Sequence, residues 1–156
     1  MSKIYVISDL HLGHNNLAVH RGFVDAEAHD YHIMKQWNSV ITKRDTVWIL
    51  GDITMEHHKY YDRLDLLNGI KNVIGGNHDL PNHTKKMLPF INKYCGCYNY
   101  KGLIMTHIPI HPGSFEGRFR KNIHGHIHEH NISDDRYVNV SAEQLDYKPV
   151  LLTDLL

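Results

Sequence analysis

The apolar run Ile4-Tyr5-Val6-Ile7 passes directly into Ser8-Asp9-Leu10-His11, and the same event recurs along the chain. Val47 to Leu50 gives way to Gly51-Asp52, Val73-Ile74 to Gly75-Gly76-Asn77-His78-Asp79, and Leu103 to Met105 to Thr106-His107; Val138 to Val140 is a further short run. Such runs, closed by Gly, Asp, Asn, Ser or His, are buried strands feeding polar loops. Helical spacing fills the gaps. Ile33, Met34, Trp37, Val40 and Ile41 share one helix face entered through Asp25, a residue able to cap free N–H groups, which predicts a helix from Ala26 to Ile41. A second pattern, Tyr60, Tyr61, Leu64 and Leu67, stops at Asn68-Gly69, and the next strand is predicted from Asn72. Strands alternating with helices build a parallel sheet by right-handed crossovers, with ligands bound at the carboxyl ends of the strands. Asp9, Asp52 and Asn77 all fall at such ends.

The second half is poorer in helix. Tyr94 to Tyr100 and Leu103 to Met105 flank a Lys101-Gly102 turn, and Arg136 to Leu152 alternates like paired strands, so a second, mostly antiparallel sheet is expected. With 156 residues, no internal repeat and no linker, the chain reads as a single domain spanning residues 1–156.

Seventeen basic and seventeen acidic residues cancel, so there is no global field to draw the chain onto nucleic acid or acidic lipid. Trp37, Trp48, Tyr60 and Tyr61 read as core, and nothing interleaves aromatic with basic residues as a single-strand binder does. Cys95 and Cys97 stand one residue apart with no second pair, which argues against structural zinc and suits a reducing compartment. The first apolar stretch is too short for a signal peptide, and no run is long enough to span a bilayer; a cytoplasmic protein is expected.

Histidine is the outlier, at 15 residues. Neutral imidazole is the commonest metal ligand near neutral pH. A pair of divalent ions needs oxygen and nitrogen donors from several loops, a carboxylate able to touch both ions, and an open position for substrate. Asp9 and His11 lie two residues apart, as do His126 and His128, yet the latter belong to an alternation with His124 and His130 from which position alone picks no pair.

The order Asp9-x-His11, Gly51-Asp52, Gly76-Asn77-His78-Asp79, His107, Gly125-His126-x-His128 resembles the calcineurin-like metallophosphoesterase superfamily, above all its small capless bacterial and phage members, which open with a D-x-H-x-G-H segment like Asp9 to His14. The resemblance implies a four-layer α/β/β/α sandwich of two mixed sheets. It implies one metal on Asp9, His11, Asp52 and His128 and another on Asp52, Asn77, His107 and His126, with Asp52 as the bridge. His78 would contact the phosphoryl group and protonate the leaving oxygen, while Asp79 would orient its imidazole. The family's second motif commonly continues G-D-x-x-D, but Met55 takes the place of its last aspartate and Glu56 is one residue off register.

The function so implied is a metal-dependent phosphoric ester hydrolase that cleaves monoesters or diesters through a metal-bridging hydroxide. Mixed imidazole, carboxylate and amide donors suit manganese first, with iron, zinc or nickel as alternatives. The expected partner is a small phosphoester such as a nucleotide, contacted by His14, Arg21 and His111. The alternatives are a nuclease, which the neutral charge disfavours, and a non-catalytic scaffold on the same fold, which the complete ligand series disfavours. His20, His29, His32, His57, His58, His83 and His130 follow no motif and are assigned surface or helix-packing roles, and His124 the end of a buried strand.

Overall fold

The structure is a computed structural model describing residues 2–156. Four parallel strands, β1 (Ile4–Ile7), β2 (Thr46–Ile49), β3 (Ile70–Ile74) and β4 (Lys93–Cys95), lie in the order β4-β3-β2-β1, and antiparallel β9 (Val150–Leu151) is added beside β1. The second sheet, in the order β5-β6-β7-β8, contains β5 (Tyr98–Tyr100), β6 (Leu103–Met105), β7 (Lys121–His124) and β8 (Tyr137–Asn139). Only β5 is antiparallel there, so the expected mostly antiparallel sheet is instead mostly parallel. The reason is β7. Its sequence, Lys-Asn-Ile-His, lacks an apolar run because the buried Asn122 makes its own bonds, donating to Ile104 O at 2.9 Å and accepting from Ile110 N at 3.0 Å.

Period-two alternation assigns the two faces of the first sheet. Val6, Trp48, Leu50 and Ile74 meet Leu103, Met105 and Ile123 of the second sheet and Val140 just after β8, while Ile7, Val47, Ile49 and Val73 pack under the helices. Of those, α1 (Asn15–His20) is short, and α2 (Ala26–Val40) buries Ile33 and Trp37 and is capped by Asp25, whose carboxylate accepts from Ala28 N at 2.8 Å. The segment His58–Leu66 is a 3₁₀ helix. Its buried residues, Tyr61 and Leu64, and the following Leu67 recur every third position, matching three residues per turn better than 3.6. A short helix α3 (Thr84–Met87) follows. Outside the second sheet, the 3₁₀ helix Pro112–Phe115 lays Phe115 edge-on against Tyr137, so the fourth layer is thin.

The expected single strand from Tyr94 to Tyr100 is divided at Gly96, with β4 in one sheet and β5 in the other. The tail divides likewise: β8 joins the second sheet and β9 the first. At the ends of β1 and β8 the sheets are joined, Ser8 N donating to Val140 O at 2.8 Å and Ala142 N to Ser8 O at 2.9 Å. No helix among the described residues is long and apolar enough to cross a membrane.

Candidate metal centre

All the sequence-predicted metal residues leave the carboxyl ends of strands at this seam. Asp9, His11, Asp52, His126 and His128 have φ of 58°, 48°, 52°, 71° and 50°, a left-handed conformation that non-glycine residues rarely take. Each costs on the order of 1–2 kcal/mol in isolation, and such outliers persist where surrounding structure over-determines them, which is common at functional sites. The close approach of the loops also dictates glycine: a Cβ on Gly76 would strike the Asp52 carboxylate, and one on Gly125 would strike Asp9 and Ser8.

Two groups of converging donors result, Asp9, His11 and His128 in one, Asp52, His107 and His126 in the other, each with its donor atoms within 4.8 Å of one another. Asp52 stands between them: its Oδ2 is 3.2 Å from His107 Nε2 and 3.8 Å from His11 Nε2. The side-chain oxygen of Asn77 is 2.8 Å from His107 Nε2, which adds an amide to the second group. His107 is turned by Leu50 O, 2.7 Å from its Nδ1.

Whether these residues suit divalent ions can be judged from atoms left without partners. Asp9 Oδ1 and both ring nitrogens of His11 are buried and make no hydrogen bond, although buried polar groups normally do. Asp9 Oδ1 lies 3.8 Å from His11 Nε2 and 3.9 Å from His128 Nε2, too far to bond but near the spacing of donors that each sit about 2.1 Å from a shared ion. The fit is good. Burial by itself would raise Asp9, but the adjacent His11, the charge of His107 and the N–H of His126 hold it far below the usual carboxylate range, so the oxygen is an anion. Burial keeps the His11 and His126 imidazoles below the ordinary histidine value and therefore neutral, the form that ligates. His107 goes the other way: burial lowers it, but its contact with Asp52 prevails and raises it.

Several expected roles change. Asp79 does not reach the His78 ring: its buried carboxylate accepts from the backbone N–H groups of Asp52 at 2.8 Å, Ile53 at 3.1 Å and Gly76 at 2.9 Å. It therefore locks together the two loops that carry Asp52 and Asn77. Burial pushes Asp79 up to about 6 against the pull of those N–H groups. The His78 ring is held instead by Glu56, whose Oε1 is 3.2 Å from Nδ1, while His78 N donates to Asp52 Oδ1 at 2.9 Å. Glu56 thus reaches the ring although its register differs from the family's aspartate.

Arg21 is not placed to meet substrate. Its side chain is 2 % exposed, and it donates to Asp9 O at 2.9 Å and Glu143 Oε2 at 2.7 Å and contacts His29 Nε2 at 3.0 Å. The other oxygen of Glu143 lies 2.7 Å from His128 Nδ1. A line of contacts therefore runs from His128 through Glu143 and Arg21 to His29 and Asp30, the last two 2.9 Å apart. This carboxylate–imidazole contact is what fixes the tautomer of a ligating histidine. Nothing in the sequence singles out Glu143, which sits in an ordinary Ala-Glu-Gln stretch. His111 also stands apart, its Nδ1 accepting from Gly113 N at 3.1 Å to cap the outer 3₁₀ helix. His14 stays beside the first group, its half-buried ring 6.2 Å from that of His11. His124 is fully buried at the end of β7, as expected.

The chain matches the calcineurin-like phosphoesterase superfamily domain over residues 2–144. It is 32% identical over 166 aligned positions to an uncharacterized protein of Methanocaldococcus jannaschii, covering 97% of this chain and 88% of that one. A protein of unknown function from Aquifex aeolicus has the same fold, with a TM-score of 0.76, 24% identity and coverage of 99% and 98% of the two chains. The nuclease MPE of Pseudomonas putida shares it less fully, with a TM-score of 0.52, 16% identity and coverage of 80% and 61%. The ordered motifs, the paired donor groups at one sheet seam and the match along nearly the whole length agree: the chain belongs to the calcineurin-like phosphoesterase superfamily.

Proposed function

We propose that the protein is a dinuclear metal-dependent phosphoesterase acting on small phosphoesters. The observation that carries this reading is Asp52, whose Oδ2 faces both donor groups while its Oδ1 is held by His78 N. One ion would be held by Asp9, His11, Asp52 and His128, the other by Asp52, Asn77, His107 and His126, a mixed donor set that suits manganese, the ion proposed, as well as iron, zinc or nickel. Divalent ions in such a site supply Lewis acidity toward phosphoryl oxygens and a water acidic enough to attack phosphorus near neutral pH.

The chain's own residues do the rest. Asp79 fixes the loops so that Asp52 presents one oxygen to both groups. Glu143 keeps the Nε2 of His128 directed toward Asp9. With Nδ1 engaged by Glu56, His78 has Nε2 left for the phosphoryl group and for giving a proton to the departing oxygen. Its ring is 5.9 Å from that of His11 and its side chain is 28% exposed, so it is both close to the site and reachable by substrate. The balance is that of hydrolysis: a P–O ester bond breaks, the oxygen of water joins phosphorus, and the alcohol leaves with a proton. A net charge of zero favours a small ester over a polynucleotide.

The test is turnover of an aryl phosphate ester with manganese, together with metal content by elemental analysis. Two ions per chain, activity abolished by chelator, and near-complete loss in Asp52→Ala and His78→Ala are expected. Full activity in either variant would refute the assigned roles.

A further inference from the structure

A cavity of about 370 Å³ opens beside the second donor group, walled by Gly76 and Asn77 after β3, Gly96 after β4, and Thr106, His107 and Ile108 after β6. None of its lining residues is Asp, Glu, Lys or Arg. Ile108 is 52% exposed, so the cavity offers an apolar wall and no cation for a second anionic group. Its glycines differ in kind. Gly76 is required by the approach of Asp52, whereas a Cβ on Gly96 would meet nothing within 4 Å, and Gly96 is not among the glycines of positive φ. Neither packing nor a positive φ requires glycine at 96, which stands in the cavity wall with open space where a Cβ would lie.

The cavity and His78 lie toward different parts of the site. His78 stands over His11 of the first group, whereas the cavity is walled by Asn77 and His107 of the second. The alcohol whose departure His78 assists belongs on the first side, and the cavity remains for a substituent that stays on phosphorus. We propose that it receives an uncharged ring-sized ester arm, aryl or nucleoside, so that the preferred substrate is a small phosphodiester with one neutral arm; this rests on the phosphoesterase reading above. Gly96 is then a specificity determinant by what it omits.

The test uses manganese-loaded protein and three p-nitrophenyl phosphodiesters that share a leaving group and carry a methyl, a phenyl or a thymidine 5′ arm. The unsubstituted protein is expected to favour a ring-bearing arm over methyl by about tenfold or more in kcat/KM. Gly96→Leu is expected to erase that preference by lowering kcat/KM for the ring-bearing esters about tenfold or more, with the melting temperature unchanged. Ile108→Ala, which narrows nothing, is expected to lose part of the preference for want of the apolar wall. Turnover without arm preference in the unsubstituted protein, or a preference untouched by both variants, overturns the cavity assignment and leaves the phosphoesterase reading intact. Absence of turnover on all three diesters overturns the cavity assignment, and absence of turnover on p-nitrophenyl phosphate as well overturns the phosphoesterase reading with it.

Discussion

Replacing Glu143 with alanine removes one carboxylate that serves two neighbours. Its oxygens lie 2.7 Å from His128 Nδ1 and 2.7 Å from Arg21 Nη2, and the Arg21 side chain is 2 % exposed. In Glu143→Ala the guanidinium keeps Asp9 O and His29 but loses its only carboxylate partner among the described residues. Breaking a buried ion pair from one side costs about 3–5 kcal/mol. Glu143 is itself 18% exposed, and it lines a cavity of about 210 Å³ with Arg21 that admits water, so the low end applies, about 3 kcal/mol. For a chain of this length that corresponds to a melting temperature lower by roughly 6–12 °C. The same change frees the His128 ring, and loss of such a carboxylate behind a ligating histidine typically weakens metal binding about 10–100-fold. Thermal melts in chelator isolate the first effect, and titration calorimetry with manganese measures the second. A variant that melts within about 2 °C of the parent and binds manganese equally well would refute the account of the Arg21–Glu143–His128 line.

The same pair sets a pH dependence in the metal-free protein. Burial opposes but the His128 and Arg21 contacts prevail, lowering Glu143 from 4.5, while the Glu143 contact raises His128 from 6.5. Its contribution to stability is therefore fully present between pH 4.5 and 6.5, lost below as Glu143 protonates and lost above as His128 deprotonates, and Glu143→Gln should flatten both flanks in pH-dependent melts. Glu56→Gln is expected to reduce kcat by about tenfold with little change in KM, because it loosens His78 without touching the donor groups; steady-state kinetics on an aryl ester decides this. Gly76→Ala is expected to destabilise the fold by about 1–3 kcal/mol and to weaken manganese binding, since the new methyl displaces Asp52; denaturant melts and calorimetry would show otherwise if the loop can yield.

Helix α2 was legible because its apolar spacing and its Asp25 cap point to the same start and the same face. Strand β7 was legible only at its end, His124, since hydropathy cannot show that Asn122 bonds inside the core. The donor residues were legible through the ordered motifs of the family resemblance, since position alone does not separate His126 and His128 from the alternation with His124 and His130. The resemblance implies that Asp79 orients His78, but its carboxylate turns back to the backbone N–H groups of Asp52 and Ile53, a long-range contact that the motif does not encode. Arg21 is expected from sequence to contact substrate, and what the sequence does not show is that its acceptors, Asp9 O and Glu143, come from distant parts of the chain. Long-range contacts of that kind leave no periodicity to read.

Each donor group draws on both sheets. Asp9 and His11 follow β1 while His128 follows β7, and Asp52 follows β2 while His107 and His126 follow β6 and β7. A nascent chain that has not yet reached residue 128 therefore lacks one member of the first donor group, however well its opening strands have formed. The contact between His126 N and Asp9 Oδ2 closes a separation of 117 residues. In the proposed dinuclear reading, metal capture would then be a late event in folding, a report that the two sheets have docked in register rather than a template for the early strands.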